Sequence, residues 1–362
     1  MRSLFAALLL TISAGVVAAP RVAFLIPTGP ENLFWKQVSD FMQVVADDLD
    51  MQLELYHSSG RMETLRQAMA LAETDEPPDY VVFMPHRSTI KVLLEQLEQA
   101  QIYSIAINSA LPSEEAESIG LPRVNFSHWL GHIYPDDVSA GYAQAKSLFE
   151  HASQFRQFSK EQPMQLVAMS GGRDSEVAFE RNEGLNRFLI DYPQVHLQQL
   201  VFTNWSGEVS RKQVPQLLAR YPEVDAFWNA SDEVALGTLA GLNDHAASLT
   251  QQVYVSGIDW SPDAVGAIEL GKMALSMGQH FLEGGKALLL IYDHFHGVDF
   301  AKREGRVIRT GFLELTQQGV ARYRRASTPA SLQLVDFAQF SAFHRGEQVL
   351  PLTMESLYQL TE

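Results

Sequence analysis

Polar and aromatic side chains that could bind a small molecule recur in this sequence wherever an apolar run ends. Flat aromatic faces cover the C–H surface of a ligand, and planar amide, carboxylate and guanidinium groups bond its hydroxyls in pairs. The mixture therefore indicates binding of a small polyhydroxylated molecule. The segments concerned are 28–35, 85–87, 108–109, 170–174, 204–205, 229–232 and 257–260.

The stretch "IPTGPENLFW" at 26–35 places Asn32, Phe34 and Trp35 where a predicted strand gives way to a predicted helix. Such a junction normally faces open space. Loops are polar in most proteins, which accounts for any single amide or hydroxyl at a strand end. It accounts less readily for tryptophans, and we expect two exposed tryptophans among these segments.

Enzymatic chemistry finds little support in the sequence. The glycine-rich "SGGRDSE" at 170–176 could cradle an anion, but it lacks the lysine and hydroxyl spacing of a nucleotide-binding loop, and a tight turn is the simpler interpretation. Neither Ser170 nor Ser256 lies in a Gly-x-Ser-x-Gly motif. We therefore expect no catalytic residues and no cofactor.

Metal binding is a second alternative. His128 and His132 stand four apart in "HWLGH", and His294 and His296 alternate in "DHFHG". Either spacing can hold zinc. "HWLGH" lacks the internal glutamate of a zinc peptidase and no third ligand is evident, so we interpret these side chains as ordinary surface or hinge histidines. A metal-binding secreted protein remains the weaker alternative.

The elements that must position these side chains follow a regular alternation. "RVAFLIP" at 21–27 predicts a buried strand, and "NLFWKQVSDFMQVVADDLD" predicts a helix from its apolar spacing. The alternation continues to Asn108, and after a less regular stretch it restarts and runs to "QVYVSGID". Each series predicts a parallel sheet covered on both faces, so the fold class is α/β with two lobes. Ligands bind beyond the carboxyl ends of such strands, and two facing lobes make that site a cleft.

Composition indicates an exported protein. Residues 1–18 have one positive charge, a short apolar run and small residues near its end, which predicts a cleavable signal peptide; an uncleaved membrane anchor is the alternative. The chain has no cysteine, which excludes a disulfide-stapled scaffold, and its net charge of −16 argues against nucleic-acid partners. We expect a periplasmic location.

Several motifs resemble the type I periplasmic solute-binding proteins of the ribose- and galactose-binding kind. They are "NLFW", "ERNEGL", "NASDEVALGTLAGL", "VSGIDWSPDAVGAI" and the "GQ" at 278–279. The similarity extends to about residue 314. It implies two Rossmann-like lobes joined by a three-segment hinge, with residues 19–130 plus 280–310 in the N-terminal lobe. Residues 131–279 plus 311–362 would form the C-terminal lobe with a C-terminal extension.

The resemblance also implies ligand-binding residues. Asn32, Phe34 and Trp35 match the asparagine and paired aromatics that bond and sandwich a sugar ring, which would explain aromatic side chains at that junction. Trp205 matches an aromatic of the second lobe. Ser231 takes the place of a common asparagine.

Two further positions match the family pattern and two depart from it. Asp259 matches an aspartate that accepts hydrogen bonds from sugar hydroxyls, and Gln279 matches a hinge-side glutamine. Asn108 and Ser109 stand where sugar binders usually carry aspartate and arginine. Loss of that pair removes strong charge-assisted hydrogen bonds, so the ligand need not be ribose, galactose or a common pyranose.

A third departure concerns an arginine. Phe179 stands where ribose binders carry a ligand-binding arginine, so that contact is lost unless Arg173 or Arg181 supplies it.

The implied mechanism is closure of the cleft by the hinge around a small sugar-like ligand, by a monomer. Delivery of the ligand to an inner-membrane ABC transporter is the principal prediction for the output. The alternative is a ligand-sensing subunit that presents a sugar-like signal to a membrane sensor kinase or cyclase. We expect the tail after residue 314 to pack on a lobe, with docking of a sensor as the alternative.

Overall fold

The structure is a computed structural model that describes residues 19–246, 249 and 251–361. The predicted signal peptide, 1–18, lies outside the described residues. Within them, no helix is both long and apolar enough to cross a membrane.

The first sheet has six parallel strands, whose central members are buried on both faces. Along the first strand Phe24 and Ile26 face one core cluster while Ala23 and Leu25 face another, which explains its unbroken apolar run. The strands are β1 (Arg21–Ile26), β2 (Gln52–His57), β3 (Tyr80–Phe83), β4 (Tyr103–Ile107), β5 (Trp129–Pro135) and β11 (Val307–Thr310). Their order is β11-β5-β4-β3-β1-β2.

Helices cover both faces of the first sheet. They are α1 (Leu33–Asp48), α2 (Arg61–Glu73), α3 (Ile90–Gln99), α4 (Ser113–Ile119), α10 (Leu282–Phe295) and α11 (Ala301–Glu304). The buried side of α1 carries Val38, Phe41, Met42 and Val45 at spacings of three and four, and it packs against α10. Gly285 on α10 leaves room for Phe41, whose ring would lie 2.4 Å from an added Cβ.

The second sheet repeats this plan with one antiparallel strand. Its strands are β6 (Met164–Ser170), β7 (Val195–Phe202), β8 (Ala226–Asn229), β9 (Tyr254–Ile258), β10 (Leu275–Gly278) and β12 (Leu313–Thr316), in the order β12-β10-β9-β8-β6-β7. Only β12 runs antiparallel to its neighbour, β10, among the strands described. The helices are α5 (Asp137–Ser153), α6 (Glu176–Asp191), α7 (Gly207–Arg220), α8 (Asp232–Asp244) and α9 (Pro262–Glu269).

Over the part of the chain that the structure describes, the chain passes between the two sheets three times: from β5 to α5, from β10 to α10, and from β11 to β12. The predicted fold class, two α/β lobes joined by a three-segment hinge, is confirmed. Strand β5 belongs to the first sheet as far as Pro135, so it extends past the boundary predicted after residue 130. The assignment of the remaining ranges to two moving lobes stays a prediction.

The tail, residues 317–361, contains the short helices α12 (Val320–Ser327), α13 (Pro329–Leu332), α14 (Ala342–Arg345) and α15 (Met354–Thr361). Part of it lies on the first lobe. Phe337 is fully buried, its ring centroid is 5.8 Å from that of Phe41 on α1, and its N–H donates to Asp48 Oδ2 over 2.7 Å. The prediction that the tail packs on the body of the protein is confirmed.

The tail also contacts the second lobe. Tyr323 packs edge-on against Trp260, with 5.1 Å between ring centroids, and Arg324 pairs with Glu269 over 2.9 Å. The hydroxyl of Tyr323 accepts from Gln37 Nε2 on α1 (3.1 Å) and donates to the carbonyl of Trp260 (3.4 Å). One tail side chain therefore contacts both lobes at once.

Candidate ligand-binding cleft

A cavity of about 310 Å³ lies between the lobes, at the carboxyl ends of the strands. Its volume is at the lower end of the range for small-molecule sites. The structure brings most of the predicted ligand-binding residues to its wall: Asn32, Phe34, Trp35, Asn108, Ser109, Arg181, Trp205, Ser231 and Asp259. Their roles in binding stay predictions.

The amino end of α1 forms one wall of the cavity. Asn32 caps the helix, its Oδ1 accepting from Trp35 N–H over 3.0 Å. The cap fixes the first turn, which carries Phe34 and Trp35 into the cavity with their rings edge to face at 5.1 Å. The sequence therefore positions these aromatics through local capping.

Two of the three strand-end tryptophans, Trp35 and Trp260, are buried, so the expectation of two exposed tryptophans is wrong. Trp35 lines the cavity but retains only 6% exposure, because it also packs against Phe24 in the core of the first lobe. Trp260 is 1% exposed, and its Nε1–H donates to the carbonyl of Ser276 over 2.9 Å. That indole is turned away from the cleft.

Arg181 is a buried arginine that lines the cavity. Its Nε donates to Asp137 Oδ1 and its Nη1 to the carbonyl of Ala230, both over 2.6 Å. Asp259 Oδ1 lies 3.8 Å from Nη1. Arg181 is 3% exposed, and Asp137, which does not line the cavity, is fully buried. This ion pair therefore fixes the position of the guanidinium.

Asp259 lies beside a second buried carboxylate, Asp232. The backbone of Asp259 has a φ of 137°, and its Oδ2 accepts from Asp232 N–H over 3.4 Å. Burial raises the pKa of both carboxyls, and the charge of Asp259 raises the pKa of Asp232 further. Asp232 is held by Ser276 Oγ and the N–H of Ser261, which leaves Asp259 as the member of the pair that lines the cavity.

Trp205 and Ser231 come from two loops of the second lobe. Trp205 has a φ of 62°, and its ring would lie 2.3 Å from a Cβ on Gly171, so only glycine fits beneath the indole. The Arg181 guanidinium carbon lies 5.8 Å from the Trp205 ring centroid. Ser231 caps α8, its Oγ accepting from Val234 N–H over 3.3 Å.

Asn108 and Ser109 occupy a strained turn after β4. Asn108 has a φ of 70°, and its N–H donates to Glu283 Oε2 over 3.1 Å. The carbonyl of Ser109 is 2.7 Å from His132 Nε2, which donates to it. Burial lowers the pKa of His132 to about 4 and raises that of Glu283 to about 8, so both groups are neutral supports of the turn at pH 7.

Three predicted residues do not reach the cavity wall. Arg173 stacks on Phe202 at 4.3 Å, so of the two arginines considered it is Arg181 that faces the cavity. Phe179 is 41% exposed and lies 5.8 Å beneath the Arg87 guanidinium. Gln279 bonds elsewhere: its Nε2 donates to the carbonyl of Gly311 (3.2 Å) and its Oε1 accepts from the N–H of Met354 (3.4 Å).

The cleft is closed by contacts between the lobes. Asn32 Nδ2 donates to Glu233 Oε2 over 3.3 Å. At the edge of the cavity Arg61 pairs with Asp174 over 3.1 Å and Arg87 with Glu176 over 2.9 Å. In each pair the first residue belongs to the first lobe and the second to the second lobe.

Sequence analysis missed several residues of the cavity wall, chiefly His280, Glu233, Arg61 and Glu176. Glu233 could have been found, because it stands two residues after Ser231 within a quoted motif. Arg61 and Glu176 are the first residues of helices that follow strands. His280 has no signal of its own in the sequence, because the family pattern implies a hinge-side role for the neighbouring Gln279.

The histidines considered as metal ligands have other contacts. His128 lies 3.2 Å from Glu98, while Nδ1 of His294 lies 2.9 Å from the hydroxyl of Tyr80. His296 Nδ1 is 2.8 Å from the carbonyl of Tyr292. Over residues 19–246, 249 and 251–361, no group of three or more histidine, aspartate or glutamate side chains is arranged to hold a metal.

Comparison with known proteins shows which family has this architecture. The family model described as "periplasmic binding protein domain" matches residues 22–297. The ribose import binding protein of Escherichia coli is 24% identical over 281 residues, which cover 75% of this chain and 83% of that protein. The crystal structure of a periplasmic sugar-binding protein from Pseudomonas fluorescens superposes with a TM-score of 0.82 at 29% identity, covering 93% of this chain and 98% of that one.

A further crystal structure shares the fold at lower identity. It is an ABC transporter periplasmic solute-binding protein from Actinobacillus succinogenes with bound D-allose, with a TM-score of 0.70, 20% identity, and coverage of 84% of this chain and 100% of that one. The family match spans most of the chain, and the two sheets and three crossings agree with it. The chain therefore belongs to the type I periplasmic binding proteins, of the sugar-binding kind.

Proposed function

We propose that this protein captures a small, uncharged, sugar-like ligand in the interlobe cleft and closes over it by the hinge. The observation that carries the proposal is the pairing of charge in the cavity wall. Among the described residues, three arginines line the cavity and each is paired with a carboxylate: Arg61 with Asp174, Arg87 with Glu176, and Arg181 with Asp137. An anionic ligand would therefore have to displace an existing ion pair, whereas hydroxyls need only polar edges.

Aromatic and amide groups supply those edges and faces. Phe34, Trp35 and Trp205 present ring surface to the cavity, and Asn32 and Asn108 are positioned by a helix cap and a strained turn. Rings suit the C–H face of a sugar and amides its hydroxyls. This composition supports a neutral polyol over an apolar or a charged ligand.

Closure follows from ligand contacts on both lobes. Shifting a mostly open population to a mostly closed one takes about 5.5 kcal/mol of differential binding. Stacked rings and several paired hydrogen bonds are of that order in sum. The three crossings between the sheets would absorb the rotation.

The receiver of the closed form is proposed to be the permease of an inner-membrane ABC transporter, with the monomer exported to the periplasm by residues 1–18. One observation favours the alternative, presentation of the signal to a membrane sensor. The tail at 317–361 lies beyond the family match, which ends at residue 297, and it adds surface on both lobes. Co-purification of the tagged protein with an ABC permease or with a membrane sensor would decide between the two.

The ligand proposal is tested by isothermal titration with D-ribose, D-allose, L-arabinose, D-tagatose and myo-inositol. We expect at least one to bind and to raise the thermal unfolding midpoint, because a ligand of the folded state stabilises it by mass action. Trp35→Ala should weaken that binding at least tenfold, whereas Phe155→Ala, at a side chain 65% exposed and absent from the cavity wall, should not. Two results refute the proposal: binding of none of these compounds by wild type, or binding that Trp35→Ala leaves unchanged.

A further inference from the structure

His280 is a buried polar side chain in the cavity wall that lacks a hydrogen-bond partner. His280 is 2% exposed, and neither of its ring nitrogens makes a hydrogen bond within the described structure. Its ring is held between two aromatic rings, stacked on Phe34 at 4.6 Å and tilted against Phe312 at 4.7 Å. A buried polar group without a partner is costly, so an imidazole fixed in this way calls for an explanation.

The backbone explains why this side chain faces the cavity. Gln279 has a φ of 81°, and its amide is bonded to Gly311 and to Met354 of the tail. The tail thus contributes to holding the glutamine outside the cavity wall, while the next residue, His280, lines it. The imidazole of His280 therefore lines the cavity where the family pattern implies the amide of Gln279.

The surroundings of the ring favour one form of the histidine. Asp259 Oδ1 lies 3.4 Å from Nε2, Arg181 pairs with the same carboxylate, and Asp137 lies behind Arg181. Burial, together with the charge of Arg181, lowers the pKa of His280 to about 3, so the ring is neutral. A proton on Nε2 would point toward Asp259 and would leave Nδ1 as an acceptor.

We propose that His280 is a specificity-determining ligand contact, whose neutral imidazole accepts a hydrogen bond from a hydroxyl of a neutral sugar beside Asp259. The assignment rests on the proposed function, because it takes the cleft to hold a polyhydroxylated ligand. Imidazole and carboxylate together offer acceptors, so the ligand must present donors there. Hydroxyls satisfy this requirement and a carboxylate does not.

If His280 instead supported the fold, replacing it would lower the stability of the ligand-free protein. A second buried histidine provides the matched control: His132 is 3% exposed and its Nε2 donates to the carbonyl of Ser109. Replacing His132 with phenylalanine removes the donor to that carbonyl. The same change at His280 removes two nitrogens that make no hydrogen bond and keeps a ring between Phe34 and Phe312. The two variants should therefore differ in the ligand-free protein.

The experiment compares wild type, His280→Phe, His280→Gln and His132→Phe by urea denaturation without ligand and by titration with the five neutral compounds named above. We expect His132→Phe to lower the urea midpoint and His280→Phe to leave it unchanged or raise it. For any compound that wild type binds, His280→Phe should weaken affinity at least tenfold, and His280→Gln, which retains a donor and an acceptor, should weaken it less.

Two results overturn the assignment: a urea midpoint of His280→Phe lowered as far as that of His132→Phe, or unchanged affinity in His280→Phe. Failure of the proposed function is read separately, as absence of binding by wild type. In that case the ligand-free denaturation still shows whether the polarity of His280 supports the fold.

Discussion

Replacing Glu176 with glutamine tests whether ion pairs between the lobes stabilise the closed cleft. Glu176 Oε2 lies 2.9 Å from Arg87 Nη2, and the two side chains retain 15% and 27% of their exposure. A partly screened pair of this kind contributes about 1 kcal/mol. Loss of about 1 kcal/mol lowers the closed-to-open ratio about fivefold, so the apparent dissociation constant should rise about fivefold.

The assay is titration calorimetry with the sugar that wild type binds most tightly, at low and at high salt. Wild type should lose affinity as salt rises, and Glu176→Gln should lose less, because salt screens exposed charges. The matched control is Glu114→Gln, since Glu114 pairs with Arg87 without crossing the cleft.

A double-mutant cycle separates the ion pair from a direct ligand contact. If Glu176 acts through Arg87, the effects of Arg87→Gln and Glu176→Gln on affinity are not additive and differ from their sum by about 1 kcal/mol. Additive effects, or an equal loss in Glu114→Gln, would refute the reasoning.

Three further predictions concern stability. Arg181→Met leaves the buried Asp137 without its counterion and should cost about 3–5 kcal/mol in urea denaturation, whereas Arg187→Met on the surface of the same helix should cost about 0.5 kcal/mol or less. Phe337→Ala empties a fully buried site in the tail and should cost about 3–5 kcal/mol, with Leu334→Ala, 86% exposed, as a neutral control; equal midpoints would show that the tail does not stabilise the body. Burial raises the pKa of Glu283 from 4.5 to about 8, so the folded state retains a proton that the unfolded chain releases, and the free energy of unfolding should fall as pH rises through that range, by at most about 1.4 kcal/mol per pH unit. Glu283→Gln should make that fall shallower, and an unchanged slope would contradict the assignment.

The fold was readable because its signals are local and repeated. Strand β1 is buried on both faces, so its residues are apolar without alternation, and the capped helix that follows carries the predicted spacing. The position of Asn32 and Phe34 at the cavity follows from that junction alone. The same holds for Asp259 at the end of β9.

The rest depends on contacts that are distant in sequence. Trp260 ends a strand as a ligand-binding indole would, but Tyr323 of the tail packs against it and a positive φ turns it inward. Gln279 and His280 differ by one position in the chain, and which of them lines the cavity is settled partly by Met354, 75 residues away. Neither the inward orientation of Trp260 nor the position of His280 at the cavity has a local pattern in the sequence.

The tail has a consequence for how far the lobes can separate. If only the three crossings joined the lobes, backbone torsions alone would limit how the lobes rotate. The tail adds noncovalent contacts: Tyr323 hydrogen-bonds to Gln37 on one lobe and to Trp260 on the other, and Phe337 is anchored on α1. Wide opening of the cleft would therefore require the tail to detach from one lobe. Detachment would expose the buried ring of Tyr323 or Phe337 to water. If the lobes rotate as proposed, these contacts of the tail limit how far the cleft can open.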